Sequence, residues 1–188
     1  MRLIEAAETL FIRKGFEDTS VDEISETAGY SRGGFYSNFE DKEQVFLAVI
    51  DRRLPSSSRA LDDIFQGLSE PAARAAAVRE WYSNQWRLKD FTALQMEFSR
   101  RAMKDRSVRK RLTELRRQEL EDVAASVVRY FGTAGQPPAE RPEVLALVLL
   151  AVSRGLGSLA IEADSGFENL YTEAATLVFD RMSAPQNF

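Results

Sequence analysis

Residues 28–39 read AGYSRGGFYSNF and combine the signals of a short helix with residues that disfavour one. Ser31 is placed as a helix N-cap, and Phe35 and Phe39 are four residues apart, as on one helical face. The pair Gly33–Gly34 lies between them, and each glycine costs about 1 kcal/mol relative to alanine inside a helix. This helix therefore needs a reason to carry both glycines.

A second short helix is predicted just before this stretch. Ser20 and Glu23 have the spacing of a capping box, in which each side chain bonds the other residue's backbone N–H. Gly29 ends that helix, and Ser31 begins the next. Two short helices joined by a glycine-containing turn form a helix-turn-helix pattern, whose second helix can enter the DNA major groove.

Composition narrows the chemistry that the chain can perform. The 188 residues include no cysteine and no histidine, and the net charge is −4. These absences remove thiolate metal sites, the commonest general base and the commonest metal ligand. We therefore expect no catalytic residues, no metal site and no cofactor, and we do not expect an enzyme.

Helical periodicity extends along almost the whole chain, and no convincing alternating strand pattern interrupts it. The predicted fold class is all-α. Pro55 and the serines Ser56–Ser58 mark a soft boundary. We expect a helix-turn-helix domain at residues 1–54 and a larger helical domain at residues 55–188.

The longest apolar run extends from Val144 to Ile161 and contains Arg154 and two glycines. These residues favour a buried helix over a membrane span. No signal peptide pattern is visible at the N-terminus. We expect a soluble, cytoplasmic protein without a membrane partner.

The first quarter of the chain resembles the N-terminal domain of the TetR family of bacterial transcriptional regulators. The matching elements lie in AAETLFIRKGFEDTSVDEISETAGYSRGGFYSNFEDKEQVFLAV, residues 6–49. They include the glycine-aromatic pair after the first helix, Ala28-Gly29 and Lys42-Glu43. Tyr30 departs from the small β-branched residue that is more frequent in the family, and Asn38 replaces a common histidine.

The resemblance implies a three-helix DNA-binding domain joined to a larger helical domain that binds ligand and dimerises. It further implies a cytoplasmic bacterial regulator, most simply a homodimeric repressor released from a palindromic operator on double-stranded DNA by a small-molecule inducer. The competing hypothesis is a helical protein-interaction module that docks a partner through Gly33 and Ser37, without sequence-specific DNA binding.

The predicted DNA contacts come partly from helix geometry. At 100° per residue, Gly33 and Ser37 lie opposite the inward phenylalanines, and Gly34 flanks them, so backbone could approach a partner closely. Arg32 and Ser37 are the candidates for base-edge recognition. The resemblance adds phosphate contacts from Tyr36, Thr19, Ser20 and Lys42. The complete predicted set is Thr19, Ser20, Ser31, Arg32, Gly33, Gly34, Tyr36, Ser37, Asn38 and Lys42.

Residues 1–54 carry seven basic and eleven acidic side chains, which is unusual for a DNA-binding module. Most of the acids fall in the first two helices. We therefore expect few phosphate contacts per subunit and a shallow dependence of affinity on salt.

Two aromatic stripes in the larger domain each contain a glutamine, which is costly to bury without a partner. A small-molecule pocket and a satisfied core are equally compatible with this pattern, and the resemblance favours the pocket. The predicted ligand-binding residues are Trp81, Tyr82, Gln85, Trp86, Phe91, Leu94, Gln95 and Phe98.

The last two helices are the predicted dimer interface, although an intramolecular core would show the same stripes. Two-fold pairing of DNA half-sites favours the dimer. The predicted interface residues are Leu145, Leu149, Val152, Leu156, Leu159, Leu170, Ala174, Leu177 and Val178.

The segment from Arg100 to Arg117 contains nine basic residues against Asp105 and Glu114. A nucleic-acid or membrane surface is one interpretation of this run. Because the basic residues are not confined to one helical stripe, we favour a solvated helix face.

Overall fold

A computed structural model describes residues 2–135, 137–163 and 166–183, with the backbone alone for residues 54–59 and 133–134. Over these residues every regular element is a helix, which confirms the predicted all-α class. The elements are α1 (Arg2–Lys14), α2 (Val21–Ala28), α3 (Arg32–Tyr36), α4 (Lys42–Gly67), α5 (Pro71–Ser83), a 3-10 turn (Gln85–Arg87), α6 (Lys89–Ala102), α7 (Arg106–Ala134), α8 (Pro142–Glu162) and α9 (Glu168–Ser183).

Helix α4 continues through the boundary expected at Pro55 and Ser56–Ser58. A proline inside a helix removes one backbone hydrogen bond, but the hydrogen bonds on either side can still form. The sequence signal at this position therefore does not end the helix.

The chain divides into two compact units. The first contains the residues up to Pro55 together with Ala93–Leu115, and the second contains Ser56–Thr92 together with the residues from Arg116 onward. The first division lies one residue from the boundary expected at residue 54. No sequence pattern indicates that Ala93–Leu115 joins the first unit, because tertiary contacts alone determine this placement.

Four phenylalanines form the centre of the first unit. Phe16 packs against Phe11 and Phe46, with ring centroids 5.4 and 4.9 Å apart, and Phe46 packs against Phe98 at 5.2 Å. All four side chains are almost completely buried. Phe98 thus places part of α6 in the same core as the helix-turn-helix.

In the second unit, α5 packs against α9 and the 3-10 turn packs against α8. Close packing explains the glycine at position 157 of α8, because a Cβ atom there would lie 2.7 Å from Oγ1 of Thr92. The buried residues of one cluster are Leu61, Val78, Tyr82, Ala175 and Phe179, and those of another are Val127, Phe131 and Leu145.

Helix α8 is long and apolar enough to cross a membrane by length and composition, and only 22% of its most apolar stretch is buried. The expectation of a buried helix is therefore not met within the single chain. Leu147 and Leu159 of α8 are more than half exposed, as are Leu170 and Leu177 of α9.

Candidate nucleic-acid interface

Helices α2 and α3 are joined as the sequence predicts. Both halves of the capping box are present at α2: the Oγ of Ser20 accepts the N–H of Glu23, and a carboxylate oxygen of Glu23 accepts the N–H of Ser20. Gly29 ends α2 in the left-handed region, with φ of 72°. Ser31 then caps α3 by accepting the N–H of Gly34 at 3.1 Å.

One side of α3 is buried and the other is open to solvent. Phe35 is fully buried, and its ring lies 5.8 Å from that of half-buried Phe39. Arg32, Gly33 and Ser37 are exposed. The exposed side therefore has little side-chain bulk at its centre, as the helix geometry predicts.

The two glycines of α3 have different surroundings. A Cβ atom at Gly33 would meet only the Oγ of Ser31, at 3.9 Å, so that position is open. A Cβ at Gly34 would lie 3.1 Å from Cδ1 of Tyr30. Packing against Tyr30 therefore explains the glycine at position 34, whereas no contact among the described residues requires a glycine at position 33.

Two polar side chains at the end of α3 already have local partners. The hydroxyl of Ser37 donates to the carbonyl of Gly33 at 2.9 Å, and Nδ2 of Asn38 donates to the carbonyl of Gly34 at 2.8 Å. In this arrangement the Ser37 oxygen and the Asn38 amide oxygen remain as acceptors. Both residues are exposed and could accept a hydrogen bond from a base-edge amino group.

Arg32 and Tyr36 form the polar rim of the exposed side. The Arg32 guanidinium donates to both carboxylate oxygens of Asp22 and lies 5.7 Å from the centre of the Tyr36 ring. Tyr36 is 47% exposed. Its side chain is therefore accessible to a phosphate, whereas Arg32 must exchange Asp22 for a base.

The side chain of Thr19 has a hydrogen-bond partner inside the protein. Its hydroxyl donates to the carbonyl of Gly15 at 2.7 Å, and the residue is 1% exposed. This bond lies in the turn between α1 and α2, and a phosphate contact from the hydroxyl would have to replace it, so the contact stays a prediction. Ser20 is exposed, and its side chain is used in the cap of α2.

Lys42 is half-buried, and its ammonium group is directed into the protein. The Nζ atom donates to the carbonyls of Phe16, Glu17 and Thr19 at 2.7, 3.1 and 2.7 Å. It also lies 4.3 Å from the centre of the Phe16 ring. Because all three ammonium protons have carbonyl partners, a phosphate contact from Lys42 would have to replace one of them. This contact stays a prediction.

The exposed carboxylate of Glu23 is strongly stabilised in its charged form. Hydrogen bonds from the Lys14 side chain, and then from the backbone and hydroxyl of Ser20, lower the pKa of Glu23 to about 2. Lys14 is thereby paired within the protein. The Glu23 carboxylate in the cap of α2 therefore stays ionised below its ordinary pKa of 4.5.

Two residues that sequence reasoning missed hold the turn before α2. Both carboxylate oxygens of Glu97 accept the N–H of Phe16, at 2.9 and 3.1 Å. Arg101 lies over the Phe16 ring at 4.2 Å and pairs with Glu17 and Glu43. Nothing in the local sequence pattern indicates these contacts, because more than 80 residues separate the partners of Phe16 from it.

The predicted ligand-binding residues are divided between the two units. Trp81, Tyr82, Gln85, Trp86 and Phe91 belong to the second unit, and Leu94, Gln95 and Phe98 belong to the first.

Several polar atoms of this set already have protein partners. The Tyr82 hydroxyl donates to the carbonyl of Leu149, and Nε2 of Gln85 donates to the carbonyl of Trp81. Gln95 is buried, and its side-chain amide makes no hydrogen bond with any residue that the structure describes.

Trp86, one of the predicted ligand residues, lines a cavity of about 80 Å³. Its indole N–H donates to the hydroxyl of Thr172 at 3.1 Å, and the Tyr171 ring packs edge-on against it. The other lining residues are Lys89, Ala160, Ala163, Phe167, Glu168 and Tyr171. The ligand assignment stays a prediction.

Some of the predicted dimer residues pack inside the second unit, and others are exposed to solvent. Leu145 lies in a buried cluster, and Leu149 and Leu156 pack against the core of the second unit. Leu159, Leu170 and Leu177 are exposed, whereas Val152, Ala174 and Val178 are half-buried. The larger exposed apolar stripe of α8 contains Val144, Leu147 and Val148, which the periodicity did not single out.

Comparison with known proteins agrees with the geometry of α2 and α3. Residues 3–49 match the model of the family "Bacterial regulatory proteins, tetR family". The chain is 35% identical over 103 residues to the uncharacterized HTH-type transcriptional regulator YfiR of Bacillus subtilis. That alignment covers 45% of this chain and spans half the length of YfiR.

Two solved structures resemble nearly the whole chain. GusR of Salmonella enterica is 27% identical, with a TM-score of 0.64, over 96% of this chain and 94% of its own. A TetR-family regulator from Rhodococcus sp. has a TM-score of 0.76 at 17% identity, over 97% of this chain and 96% of its own, and shares the fold. The helix-turn-helix region at residues 3–49 thus matches the tetR family of bacterial regulatory proteins, and the chain as a whole shares its fold with these two solved structures.

Proposed function

We propose that this protein is a cytoplasmic, ligand-responsive DNA-binding transcriptional regulator, and specifically a homodimeric repressor that leaves a palindromic operator when a small molecule binds. Relatives in sequence are transcriptional regulators, and this supports a binding protein over an enzyme. The observation that carries the proposal is the exposed side of α3, where open space at Gly33 separates the two polar positions Arg32 and Ser37.

The chemistry of this side fits the major groove better than a protein partner. Backbone at Gly33 could approach base edges without a side chain intervening. The Ser37 oxygen could accept from a base amino group, and Arg32 could fork onto guanine. Tyr36 at the rim would reach the phosphate backbone. An apolar docking surface, by contrast, would need large hydrophobic side chains at these positions.

Homodimer formation is supported by the exposed apolar residues of α8 and α9. Exposed apolar patches of this kind mark interaction sites on soluble proteins. At Gly155 of α8, no described atom lies within 4 Å of the position that a Cβ would occupy, so a second helix could approach there. A two-fold axis through this surface would present two α3 helices to an inverted repeat. The large exposed residues of this kind are Val144, Leu147, Val148, Leu159, Ile161, Leu170 and Leu177.

A small-molecule inducer is supported by one polar side chain that has no partner among the described residues. Gln95 is only 6% exposed, and its side-chain amide makes no hydrogen bond with those residues, so its donors and its acceptor are available to a ligand. The dimer could adopt conformations that differ in the spacing of its two α3 helices. A ligand that binds one of these conformations more tightly would increase its population. A differential affinity of a few kcal/mol suffices for release from DNA.

Selection from random double-stranded DNA, followed by a mobility-shift assay, tests the proposal. The full-length protein should enrich an inverted repeat and bind it as a dimer. Failure to enrich any repeat would overturn the proposal and favour a protein-interaction module. A thermal-shift screen of small molecules then tests the inducer, because a ligand of the folded state raises the unfolding temperature by mass action.

A further inference from the structure

Most cations of the helix-turn-helix region already have hydrogen-bond or ion-pair partners within the protein. Lys14 pairs with Glu23 and Arg32 pairs with Asp22, while Lys42 is bonded to three carbonyls. Arg52 and Arg53 also have a partner, because both form ion pairs with the buried carboxylate of Glu8. Of the seven basic residues before residue 55, these five are occupied.

The segment Ala93–Leu115 belongs to the same compact unit and has the opposite charge balance. It contains seven basic and three acidic residues, whereas residues 1–54 contain seven basic and eleven acidic. The net charge of +4 on this segment thus offsets the −4 of the helix-turn-helix region. A unit that binds a polyanion must present positive charge somewhere on its surface.

Four cations of this segment form what we name the basic patch: Arg100, Lys104, Arg106 and Lys110. All four are exposed, and none of their side chains makes a hydrogen bond or ion pair with any residue that the structure describes. The other cations of the segment are engaged: Arg101 binds Glu17 and Glu43, Arg109 binds the last carbonyls of α6, and Arg111 pairs with Glu114.

The segment that carries the basic patch is bonded, through Glu97 and Arg101, to the turn that leads into α2. Glu97 binds the backbone of Phe16, and Arg101, next to Arg100, pairs with Glu17 at 2.6 Å. Only two residues separate Glu17 from Ser20, the N-cap of α2. Arg106 and Lys110 lie one turn apart on α7, opposite buried Val108, so they point away from the core.

We infer that the basic patch is a second DNA-contacting surface, which binds backbone phosphates beside the site recognised by α3. This inference rests on the proposed DNA-binding function. The patch supplies sequence-independent affinity, and α3 supplies base preference. Residues 1–54 alone predict that DNA affinity depends only weakly on salt. With the basic patch we expect a stronger dependence, because each phosphate contact makes the slope of log K against log salt steeper by about 0.9.

Paired charge removals test the inference on the full-length protein. One variant carries Arg100→Gln and Lys104→Gln, and a second carries Arg106→Gln and Lys110→Gln. The matched control removes two exposed cations of the second unit that have no side-chain partner among the described residues, through Arg141→Gln and Arg181→Gln.

Affinity for the inverted repeat enriched by the wild-type protein is measured between about 50 and 200 mM salt. At least one patch variant should show a slope shallower by about 1.8, the value for one phosphate contact per subunit of a dimer, with the enriched repeat unchanged. The control should keep the wild-type slope. Surface changes of this kind leave stability within about 0.5 kcal/mol, which an unfolding curve verifies.

Each contrary outcome is distinct. If both patch variants keep the wild-type slope on an enriched repeat, the inference fails while the proposed function stands. If instead they lose binding to vesicles that contain phosphatidylserine, the patch belongs to a membrane and the inference also fails. If the wild-type protein enriches no repeat, the proposed function fails and the inference fails with it.

Discussion

The guanidinium of Arg32 donates to both carboxylate oxygens of Asp22, at 2.8 and 3.0 Å, and so ties the first residue of α3 to the second residue of α2. Both side chains are more than 60% exposed. Exposed ion pairs contribute about 0 to 1 kcal/mol, so a guanine or a phosphate could replace Asp22 at little cost. In the DNA-free protein this pair holds Arg32 at the edge of the recognition surface.

Asp22→Asn should raise affinity for the enriched DNA severalfold, because it releases Arg32 and removes a negative charge beside the groove. Stability should fall by less than about 1 kcal/mol. Fluorescence anisotropy measures the affinity. The matched control is Glu26→Gln, which removes an exposed α2 carboxylate that has no side-chain partner among the described residues. An equal gain in DNA affinity in both variants would show that the change in net charge causes the effect, and it would contradict the release of Arg32 as the cause.

Gly33→Ala should separate stability from DNA binding. Open space at this position allows the methyl group, and the loss of backbone freedom in the unfolded chain should stabilise the protein by about 0.4–1 kcal/mol. The same methyl group would stand between backbone and base edges, and operator affinity should fall at least about tenfold, or 1.4 kcal/mol. Thermal unfolding and anisotropy measure the two effects.

Gly34→Ala is the comparison variant for Gly33→Ala. Its Cβ would lie 3.1 Å from Cδ1 of Tyr30 and 3.4 Å from the Oγ of Ser31, so it should not stabilise the protein. If Gly33→Ala left DNA affinity unchanged, close approach of the backbone at this position would be ruled out.

These glycines show where sequence reasoning succeeds and where it stops. Helix periodicity correctly places Gly33 on the open side of α3, because Phe35 and Phe39 define the buried side. Periodicity does not show that the ring of Tyr30 fills the space beside Gly34. That contact arises in the turn between α2 and α3, where Gly29 adopts the left-handed conformation directly before Tyr30.

Thr19 and Arg101 show a second limit. A motif match assigns Thr19 to the DNA surface, but whether its hydroxyl faces solvent or the carbonyl of Gly15 depends on how the turn folds. Arg101 belongs to a basic run that has no single helical stripe. Only the fold shows that Arg101 is bound by Glu17 and Glu43, while neighbours such as Lys104 have no ion-pair partner among the residues that the structure describes. Local pattern predicts elements, and long-range pairing decides which charges stay available.

Thr19→Val should destabilise the protein by about 1–3 kcal/mol, because it removes the part-buried hydrogen bond from the buried Thr19 hydroxyl to the carbonyl of Gly15. Base preference should not change. The control is Thr9→Val, since Thr9 makes the same type of bond to Glu5 at an exposed position. Its cost should stay within about 0.5 kcal/mol in urea unfolding. Comparable losses in the two variants would contradict a buried structural role for Thr19.

Glu23 should make stability depend on pH in the acid range. Its pKa is 4.5 when unperturbed and about 2 in the folded protein, so the contribution is complete above 4.5 and is lost as pH falls towards 2. Denaturant unfolding between these values should show a decline that is smaller in Glu23→Gln. An identical decline in the variant and the wild type would show that Lys14 and Ser20 do not hold this carboxylate.

The most direct measurement compares the DNA sequences that the wild-type protein and Ser37→Ala enrich from a random pool. If α3 recognises bases through its open side, the wild type enriches an inverted repeat. The variant then enriches the same repeat with relaxed preference at one base pair in each half-site. An identical preference in both proteins, or no enriched repeat from the wild type, would contradict recognition of DNA by this side of α3.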